Sequence, residues 1–414
     1  MIELAEARAF VLAGCEPSSP VVVPIDEALG CVIAESIRSN EQVPPFANTA
    51  MDGFAVRAAD TVGADDRPVQ LRIVGTVRAG MSGLESPVGP GEATRIMTGA
   101  PMPPGADAVV MVERTEVAAD GVTVLVGTEV SSGNHVRPPG DDIEPGELVL
   151  TEGTLLRAAH LGVLATVGVT AVSVFRRPRV GVISTGDELV DDGSPLAPGQ
   201  IRDSNRLTLR ALLRSSGFDA VDLGLVRDDE SAIEAALLAG VEQCDALVTS
   251  GGVSMGDFDF IKVVLDRIGD MRWMQIAIKP AKPLAFGTIG RACDGRRVPV
   301  FGLPGNPVSS MVSFELFCRP GLRMMSGAGP ESLDRPIVTA IASEPITRRP
   351  DGKTHFARVR CDYDPDAALY RVRSSGAQGS HHMAAMAAAD ALAVLPDGPT
   401  IEAGDTVRVM LLTP

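Results

Sequence analysis

Apolar and polar residues follow a repeating pattern between residues 179 and 320. Short apolar runs at 180–183 and 246–248 predict buried strands, and apolar residues at helical spacing predict helices over 205–215 and 261–268. Strands and helices that alternate in this way predict a doubly wound, mostly parallel sheet. Ligands of such sheets bind at the carboxyl ends of the strands, so the polar loops at that edge are the first candidates for chemistry.

The sequence on both sides of this region has β patterns instead. Short β-branched runs alternate with Gly and Pro turns from about residue 46 to 142, and further β patterns follow residue 330. The predicted fold class is therefore α/β plus β and multidomain, with a central mostly parallel sheet, an all-β insert and a C-terminal β-barrel. The predicted boundaries are 1–24 for an N-terminal segment packing on the central domain, 25–43 and 145–176 for a mixed α/β linker domain, 44–144 for the insert, 177–326 for the central α/β domain and 327–414 for the barrel.

Composition narrows the class of partner. The 414 residues carry a formal charge of −16 and a pI near 4.8, which argues against nucleic acid or an anionic membrane because both need a basic face. Six cysteines without a C-x-x-C pair favour free thiols in a reducing cytoplasm over a disulfide framework or a zinc site. No apolar stretch reaches the 18 residues that would indicate a membrane-spanning helix.

The loop after the strand at 246–250 is rich in Gly and Ser. Its sequence, SGGVSMGD over 250–257, contains three glycines and two serines. Glycine lets a backbone approach a ligand closely, and N–H groups at the start of a helix favour an anion. The loop is therefore a candidate cradle for a phosphate or an oxyanion, although many strand-to-helix turns use Gly and Ser without binding a ligand.

Carboxylates and lysines recur in four further loops at predicted strand ends. These loops are STGDEL at 184–189, RDSN at 202–205, VRDD at 226–229 and IKPAKP at 278–283. Their oxygen atoms suit a hard divalent cation, and their lysines suit a phosphate or an oxyanion. The alternative is that Asp187, Asp203 and Asp228 only cap helices, and that Lys279 and Lys282 are solvated surface cations.

Eight stretches of the chain are recognisable together as one ordered series. They are PPFANTAMDGFAV (44–56), TRIMTGAPMPPGADAVV (94–110), RPPGDDI (137–143), VGVISTGDEL (180–189), DSN (203–205), TSGGVSMGDFD (249–259), IKPAKP (278–283) and FGLPGNPVSS (301–310). This series closely resembles the bacterial MoeA family of molybdopterin molybdenumtransferases, to which the C-terminal domain of gephyrin also belongs. The resemblance covers nearly the whole chain.

The resemblance implies an enzyme with a molybdopterin-binding central domain. In that family adenylylated molybdopterin and molybdate yield molybdenum cofactor and AMP, with a divalent cation, usually Mg²⁺, on an elongated homodimer of four-domain subunits. The expected partners are adenylylated molybdopterin, molybdate and a second subunit. A molybdopterin adenylyltransferase and molybdoenzymes are further candidate partners, and the expected location is the cytoplasm.

The resemblance also implies roles for individual residues. Asp52, Thr98, Asp142, Glu188, Asp228 and Asp259 match functional positions of the family. Glu188, Asp228 and Asp259 are the expected Mg²⁺ ligands. The expected substrate-binding residues are Ser250, Gly251, Gly252, Ser254, Pro304, Gly305 and Asn306, and the expected molybdate-binding residues are Lys279, Lys282, Arg358 and Ser380. Lysines, a guanidinium and a hydroxyl donor suit a tetrahedral dianion.

Two residues depart from the family pattern. Ala281 stands where the family commonly has Gly, which is acceptable only if this residue has a negative φ. Asp390 stands where Asn is usual, and an extra carboxylate near Ser380 would weaken an oxyanion site.

Two other functions stay open at this stage. One is a non-catalytic paralogue that binds the cofactor precursor or scaffolds a partner, although the presence of Asp228, Asp259, Lys279 and Lys282 argues against it. The other is a molybdopterin adenylyltransferase, because residues 180–320 resemble that fold, but such enzymes lack the flanking β domains. The sequence does not distinguish molybdate from tungstate.

Overall fold

The computed structural model describes residues 1–253 and 260–412, so the predicted roles of Ser254 and Asp259 lie outside the described residues. The chain begins with helix α1 (Leu4–Ala13). Its buried residues Ala7 and Val11 belong to the same apolar core as the central sheet. Phe10 adds an edge-on ring contact with Phe286, at 5.9 Å between the ring centres. The N-terminal helix therefore packs on the central domain.

The linker sheet and the β insert follow in the chain. The linker begins with β1 (Val21–Pro24), β2 (Val32–Ile33) and β3 (Ile37–Arg38). The insert contains β4 (Asn48–Thr49), β5 (Gly53–Val56), β6 (Val69–Val77), β7 (Glu92–Ile96), β8 (Ala108–Met111), β9 (Thr115–Val117), β10 (Thr123–Val126) and β11 (Val136–Arg137). Six of these strands form one sheet in the order β8-β5-β7-β6-β10-β9, and β11 pairs with β4.

The chain then returns to the linker. The returning elements are β12 (Leu148–Leu150), α2 (Ala158–Thr166) and β13 (Ala171–Phe175). Strand β13 lies between β1 and β2 in a three-stranded sheet, and β12 pairs with β3. Because strands from both sides of the insert pair with each other, the insert leaves and rejoins one folded unit.

The central domain is an α/β sheet with helices on both faces. Its elements are β14 (Arg179–Thr185), β15 (Leu189–Val190), β16 (Ile201–Arg202), α3 (Asn205–Ser215), β17 (Asp219–Val226), α4 (Glu230–Gln243), β18 (Ala246–Ser250), α5 (Phe260–Ile268), β19 (Gly269–Gln275), β20 (Ile278–Lys279), β21 (Pro283–Gly290), β22 (Arg297–Leu303), α6 (Pro307–Ser313) and α7 (Arg319–Met325). The main sheet has the order β17-β14-β18-β22-β21-β19. Its first four strands are parallel, and β21 and β19 are antiparallel additions.

Alternating side chains on the strands supply two separate cores. Val182 of β14 packs in one core with Leu209 and Leu213 of α3. Ile183, the next residue, packs on the other face with residues of α4 and α5. Successive residues of a strand point to opposite faces, so one apolar run serves helices on both sides. The predicted doubly wound sheet is therefore confirmed.

The C-terminal domain is a closed barrel. Its elements are β23 (Ile337–Ala342), β24 (Thr354–Asp364), β25 (Leu369–Ser374), α8 (Met383–Ala387), β26 (Ala391–Leu395) and β27 (Thr406–Leu411). The order β24-β25-β23-β27-β26 closes through pairing of β26 with β24. Strand β20 of the central domain adds to the outer edge of β24. The predicted barrel and fold class are confirmed. In the part of the chain that the structure describes, no helix is long and apolar enough to cross a membrane.

Candidate active site

Two loops meet at the carboxyl edge of the parallel strands. We call residues 250–252 and 304–306, at the ends of β18 and β22, the phosphate loops, after the role that the sequence predicts for them. The N–H of Gly251 donates to the carbonyl of Leu303 at 3.0 Å. The side-chain amide of Asn205, the first residue of α3, donates to Ser250 Oγ at 2.8 Å and to the carbonyl of Gly305 at 2.7 Å. The predicted substrate-binding residues of both loops are therefore joined directly.

Glycine is required where the two loops pass each other. Gly251 and Gly252 have φ values of 96° and 72°, a region that other residues rarely adopt. At Gly305 the requirement is absent, because a side-chain carbon there would lie 3.7 Å from the Cα of Gly251, an ordinary van der Waals distance. Because the N–H of Gly251 already bonds to Leu303, this glycine contributes a backbone shape rather than a free donor.

Carboxylates lie at the neighbouring strand ends. The carboxylate of Glu188 folds back over Gly186, where a side-chain carbon would meet Glu188 Oε2 at 2.5 Å. The N–H of Asp228 donates to Asp187 Oδ1 at 3.3 Å, which joins the ends of β14 and β17. The cap of α4 is Asp229, whose carboxylate accepts from the N–H of Ala232 at 2.8 Å. The capping alternative is therefore wrong for Asp228, because Asp229 and not Asp228 caps α4.

Asp203 has a structural role. Its side chain is 1% exposed, and its carboxylate accepts from the N–H and Nε of Arg206 and from Ser184 Oγ. Arg206 also pairs with Asp191 and Asp222. The Arg206 guanidinium therefore fixes the segment from β15 to β16 against the sheet. Because the Asp203 carboxylate accepts from the N–H of Arg206 in the first turn of α3, the capping alternative holds for Asp203.

In the C-terminal barrel, a buried arginine organises the loop that carries Ser380. Arg358 is 1% exposed, and its Nη2 donates to the carbonyls of Ala377 and Gly379 at 2.8 and 3.2 Å. The side chain of Gln378 returns two bonds, accepting from the Arg358 N–H at 2.9 Å and donating to its carbonyl at 3.0 Å. Burial lowers the pKa of the Arg358 guanidinium. A cation without a carboxylate partner among the described residues suits an anionic ligand.

The Ser380 loop touches the central domain beside the phosphate loops. The N–H of Val308, in the first turn of α6, donates to the carbonyl of Ser380 at 3.1 Å. Asn306 is the residue that precedes α6. The structure therefore brings Ser380 and Arg358 next to the predicted phosphate-binding loop at 304–306.

We call residues 278–283, which carry Lys279 and Lys282, the lysine turn. It pairs with strand β24 of the barrel rather than with the Ser380 loop. Lys279 pairs with His355 in the short parallel ladder of β20 and β24. Lys279 and Lys282 are exposed, and neither forms an ion pair within residues 1–253 and 260–412. Side chains alternate along β24, so His355 and Arg358 point to opposite faces. No hydrogen bond among the described residues joins the two lysines to Arg358 or Ser380.

The two departures from the family pattern have clear structural settings. Ala281 has a φ of 73°, so the negative φ that alanine needs is not found. The N–H of Ile276 donates to the carbonyl of Lys282 at 2.7 Å, which closes the turn around this left-handed residue. Asp390, which directly precedes β26, accepts from the N–H of Cys361 within β24 at 2.7 Å, so its carboxylate joins these two strands.

Asp52 and Thr98 form a pair on the insert. Asp52 Oδ1 accepts from the Thr98 hydroxyl at 2.6 Å and from its N–H at 2.7 Å. These bonds hold the pKa of the Asp52 carboxyl below its usual value. The N–H of Asp142 donates to the carbonyl of Val43 at 2.9 Å, and the residue is exposed. No hydrogen bond or ion pair of the described residues joins the insert pair to the phosphate loops.

Comparison with known proteins decides the family. The models "MoeA N-terminal region (domain I and II)", "Probable molybdopterin binding domain" and "MoeA C-terminal region (domain IV)" match residues 2–168, 181–324 and 339–412. A molybdopterin molybdenumtransferase of Haemophilus influenzae is 36% identical over 411 residues, covering 99% of this chain and 98% of that protein. The molybdopterin molybdenumtransferase 2 of Mycobacterium tuberculosis is 37% identical over 402 residues, 95% of each.

Solved structures agree. The crystal structure of a molybdopterin biosynthesis MoeA protein from Pyrococcus horikoshii matches with a TM-score of 0.78 and 32% identity, and covers 100% of both chains. The chain belongs to the molybdopterin molybdenumtransferase family. The resemblance seen in the sequence is thereby confirmed, as is the expectation of a transferase of molybdenum cofactor biosynthesis.

Several residues that organise this molybdopterin molybdenumtransferase site were not predicted. Asn205 belonged to the DSN motif without an assigned role, and its capacity to bond two loops depends on their meeting in space. Gln378 stands beside the predicted Ser380, and its clamp on Arg358 needs the barrel to be closed. His355 lies three residues before the predicted Arg358, but its pairing with Lys279 joins two domains.

One cavity of the enzyme lies away from these motifs. It has a volume of about 1390 Å³ and lies at the amino edge of the sheet. Its six arginines, at positions 176, 177, 179, 291, 296 and 297, are accompanied by seven carboxylates, at positions 16, 27, 219, 242, 245, 270 and 294. Because the positive and negative charges of this lining nearly balance, the size of the cavity alone does not make it an anion site.

Proposed function

We propose that this enzyme transfers molybdenum from molybdate to adenylylated molybdopterin, with release of AMP in a Mg²⁺-dependent reaction. The observation that carries the proposal is the joint held by Asn205 between the two phosphate loops, beside the loop that Arg358 supports. It supplies glycine-lined backbone for a phosphate and a buried cation for an oxyanion at one edge of the sheet.

The substrate phosphates would lie against Ser250, Gly252 and the segment 304–306. Glycines allow the substrate phosphates to approach the backbone closely. Ser254 would extend this cradle. Both dithiolene sulfurs would bond to molybdenum as one oxo group of molybdate leaves as water with the two thiol protons. Water would cleave the phosphoric anhydride, which gives AMP and the phosphate monoester of the pterin. Positioning and charge neutralisation supply most of the acceleration in phosphoryl chemistry.

Molybdate, as the second substrate, would be bound by Arg358 and Ser380 with Lys279 and Lys282. Support comes from the buried Arg358 guanidinium, whose Nε has no hydrogen-bond partner among the described residues. A buried cation with an unused donor is costly unless an anion completes it. The exposed lysines add charge that draws a dianion to the site.

The available donors suit Mg²⁺. Mg²⁺ is commonly held by one or two carboxylates together with substrate phosphates and waters. Glu188 and Asp228 are two such carboxylates at adjoining strand ends, and Asp259 would be a third. Within residues 1–253 and 260–412 no group of three or more His, Cys, Asp and Glu side chains is arranged for a metal ion. The substrate phosphates would therefore complete the site.

A homodimer is proposed with the same function. Val22 and Leu29 of the linker are 72% and 51% exposed, which offers apolar surface to a second subunit. Asp52, Thr98 and Asp142 lie on the insert, and no described hydrogen bond joins them to the phosphate loops of their own chain. In a homodimer they would act in catalysis at the phosphate loops of the second subunit. A stable monomer in light scattering at working concentration would contradict this.

The test is to supply adenylylated molybdopterin, Mg²⁺ and molybdate to the purified enzyme. AMP release with formation of molybdenum cofactor is expected, and chelation of Mg²⁺ is expected to stop it. Binding without turnover would favour a scaffold, and consumption of ATP with free molybdopterin would favour an adenylyltransferase. Asp228→Ala should lower the Mg²⁺-dependent rate, with Asp229→Ala as the neighbouring control whose carboxylate caps a helix.

A further inference from the structure

A charged network borders the lysine turn on the barrel side. His355 Nε2 lies 2.9 Å from Asp351 Oδ1, and Lys353 Nζ lies 3.2 Å from Asp351 Oδ2. The three side chains are only 12%, 29% and 23% exposed in the order His355, Asp351 and Lys353. The proposed function assigns no role to this network.

The same network lies directly beside Lys279. Ile278 and Lys279 of β20 pair in parallel with Thr354 and His355 of β24. Paired residues of a ladder project to the same face of a sheet. Ile278 packs in the apolar core, so Lys279 and His355 together face away from that core.

The hydrogen bond to Asp351 selects one tautomer of His355. Burial would raise the pKa of the Asp351 carboxyl, but hydrogen bonds from His355 and Lys353 outweigh it and lower the pKa to about 2. Asp351 therefore only accepts. Desolvation lowers the pKa of His355, and the charges of Arg348 and Lys279 oppose the raising effect of Asp351. A neutral imidazole that donates from Nε2 keeps a lone pair on Nδ1.

We propose that His355, oriented by Asp351, is a positioning residue for Lys279. The two residues are paired in the ladder without a side-chain hydrogen bond between them among the described contacts; when the oxyanion substrate binds, His355 Nδ1 would accept a hydrogen bond from the lysine ammonium and hold that cation in place. The inference rests on the proposed role of Lys279 in molybdate binding. In this proposal His355 and Asp351 belong to the site without contacting the anion. Their charge and the sequence motifs therefore do not identify them.

Substitutions at the two ends of the imidazole separate this role from simple packing. His355→Asn keeps an acceptor close to the position of Nδ1, whereas His355→Gln keeps a donor close to the position of Nε2 and loses the acceptor. Asp351→Asn can donate to Nε2, which would move the proton to Nδ1 and turn it toward the ammonium. The matched control is Asp364→Asn, which removes a carboxylate at the far end of β24, where it pairs with Arg371 at 2.8 Å.

Molybdate binding is measured by calorimetry, and turnover by AMP release. We expect the molybdate Kd and KM to rise about 10-fold in Asp351→Asn and His355→Gln, which is typical for loss of a residue that orients a ligand-binding group. His355→Asn should bind molybdate nearly as well as the wild type, and kcat at saturating molybdate should change little in all three. Asp364→Asn should behave as the wild type.

The outcomes separate this inference from the proposed function. If the wild-type enzyme does not bind molybdate, the proposed function fails and the inference falls with it. If the wild type binds molybdate and Asp351→Asn and His355→Gln bind it equally well, only the inference is overturned. Equal weakening by His355→Asn and His355→Gln would also overturn it, because it would reduce His355 to a packing residue.

Discussion

The side-chain amide of Asn205 lies 2.8 Å from the hydroxyl oxygen of Ser250. The same nitrogen also donates to the carbonyl of Gly305, so one side chain at the start of α3 holds both phosphate loops. Loops at the ends of parallel strands have no ladder of their own to fix their separation. This amide therefore fixes the spacing of the proposed phosphate cradle together with the bond from the Gly251 N–H to the Leu303 carbonyl.

Asn205→Ala is expected to loosen both phosphate loops. It removes two hydrogen bonds, each worth about 1 kcal/mol net, so the free energy of unfolding should fall by about 1–2 kcal/mol in urea denaturation. The affinity for adenylylated molybdopterin should fall as well, in a binding titration. Asn205→Asp has nearly the same shape but cannot donate and adds a negative charge, so it should bind the substrate more weakly than Asn205→Ala. Unchanged affinity in both variants would contradict the role of Asn205.

Arg358→Met tests the buried guanidinium. The variant keeps an apolar side chain of similar length but loses the bonds to the carbonyls of Ala377 and Gly379. Molybdate should stabilise the wild type against heat by mass action and should give the variant no such protection. The measurement is the change in Tm with molybdate concentration. Arg360→Met on the same strand is the control, because its exposed side chain bonds only to the carbonyl of Ala388, and it should keep the molybdate response.

Thr98→Val tests the insert pair. The variant keeps the shape and the backbone N–H but removes the hydroxyl that bonds to Asp52 Oδ1. Hydroxyl and N–H bonds depress the folded-state pKa of Asp52 below its ordinary value of 3.8. The pair therefore stabilises the fold above that value, and the contribution disappears as the pH falls through the depressed pKa. NMR titration should show the pKa of Asp52 rising toward 3.8 in the variant, and an unchanged pKa would refute the pairing.

The helices and strands of the central domain could be predicted because the apolar periodicity of each element depends only on residues that are close in sequence. The helix predicted over 205–215 is found as Asn205–Ser215, since apolar spacing and the following Gly217 act within one element. The cap of α4 was ambiguous for an equally local reason. Asp228 and Asp229 are adjacent, and only the backbone conformation assigns the cap to Asp229.

Contacts between domains could not be predicted in this way. The IKPAKP stretch has the composition of a surface turn, yet Lys279 pairs with His355 from a domain that begins some fifty residues later in the chain. The bonds of Asn205 likewise link residues 45 and 100 positions away. Family motifs identified such residues without stating what they touch, because contact depends on how the separately folded units close on one another.

Ala281→Gly tests the strain in the lysine turn. Alanine at a φ of 73° costs about 1–2 kcal/mol relative to glycine, whereas loss of the buried methyl group costs about 0.8 kcal/mol. The free energy of unfolding should therefore stay constant or rise slightly in urea denaturation. Ala277→Gly is the matched control, because Ala277 is also buried but is not among the residues with positive φ, and it should lose about 1 kcal/mol. Equal losses at the two positions would show that the turn of Ala281 carries no strain.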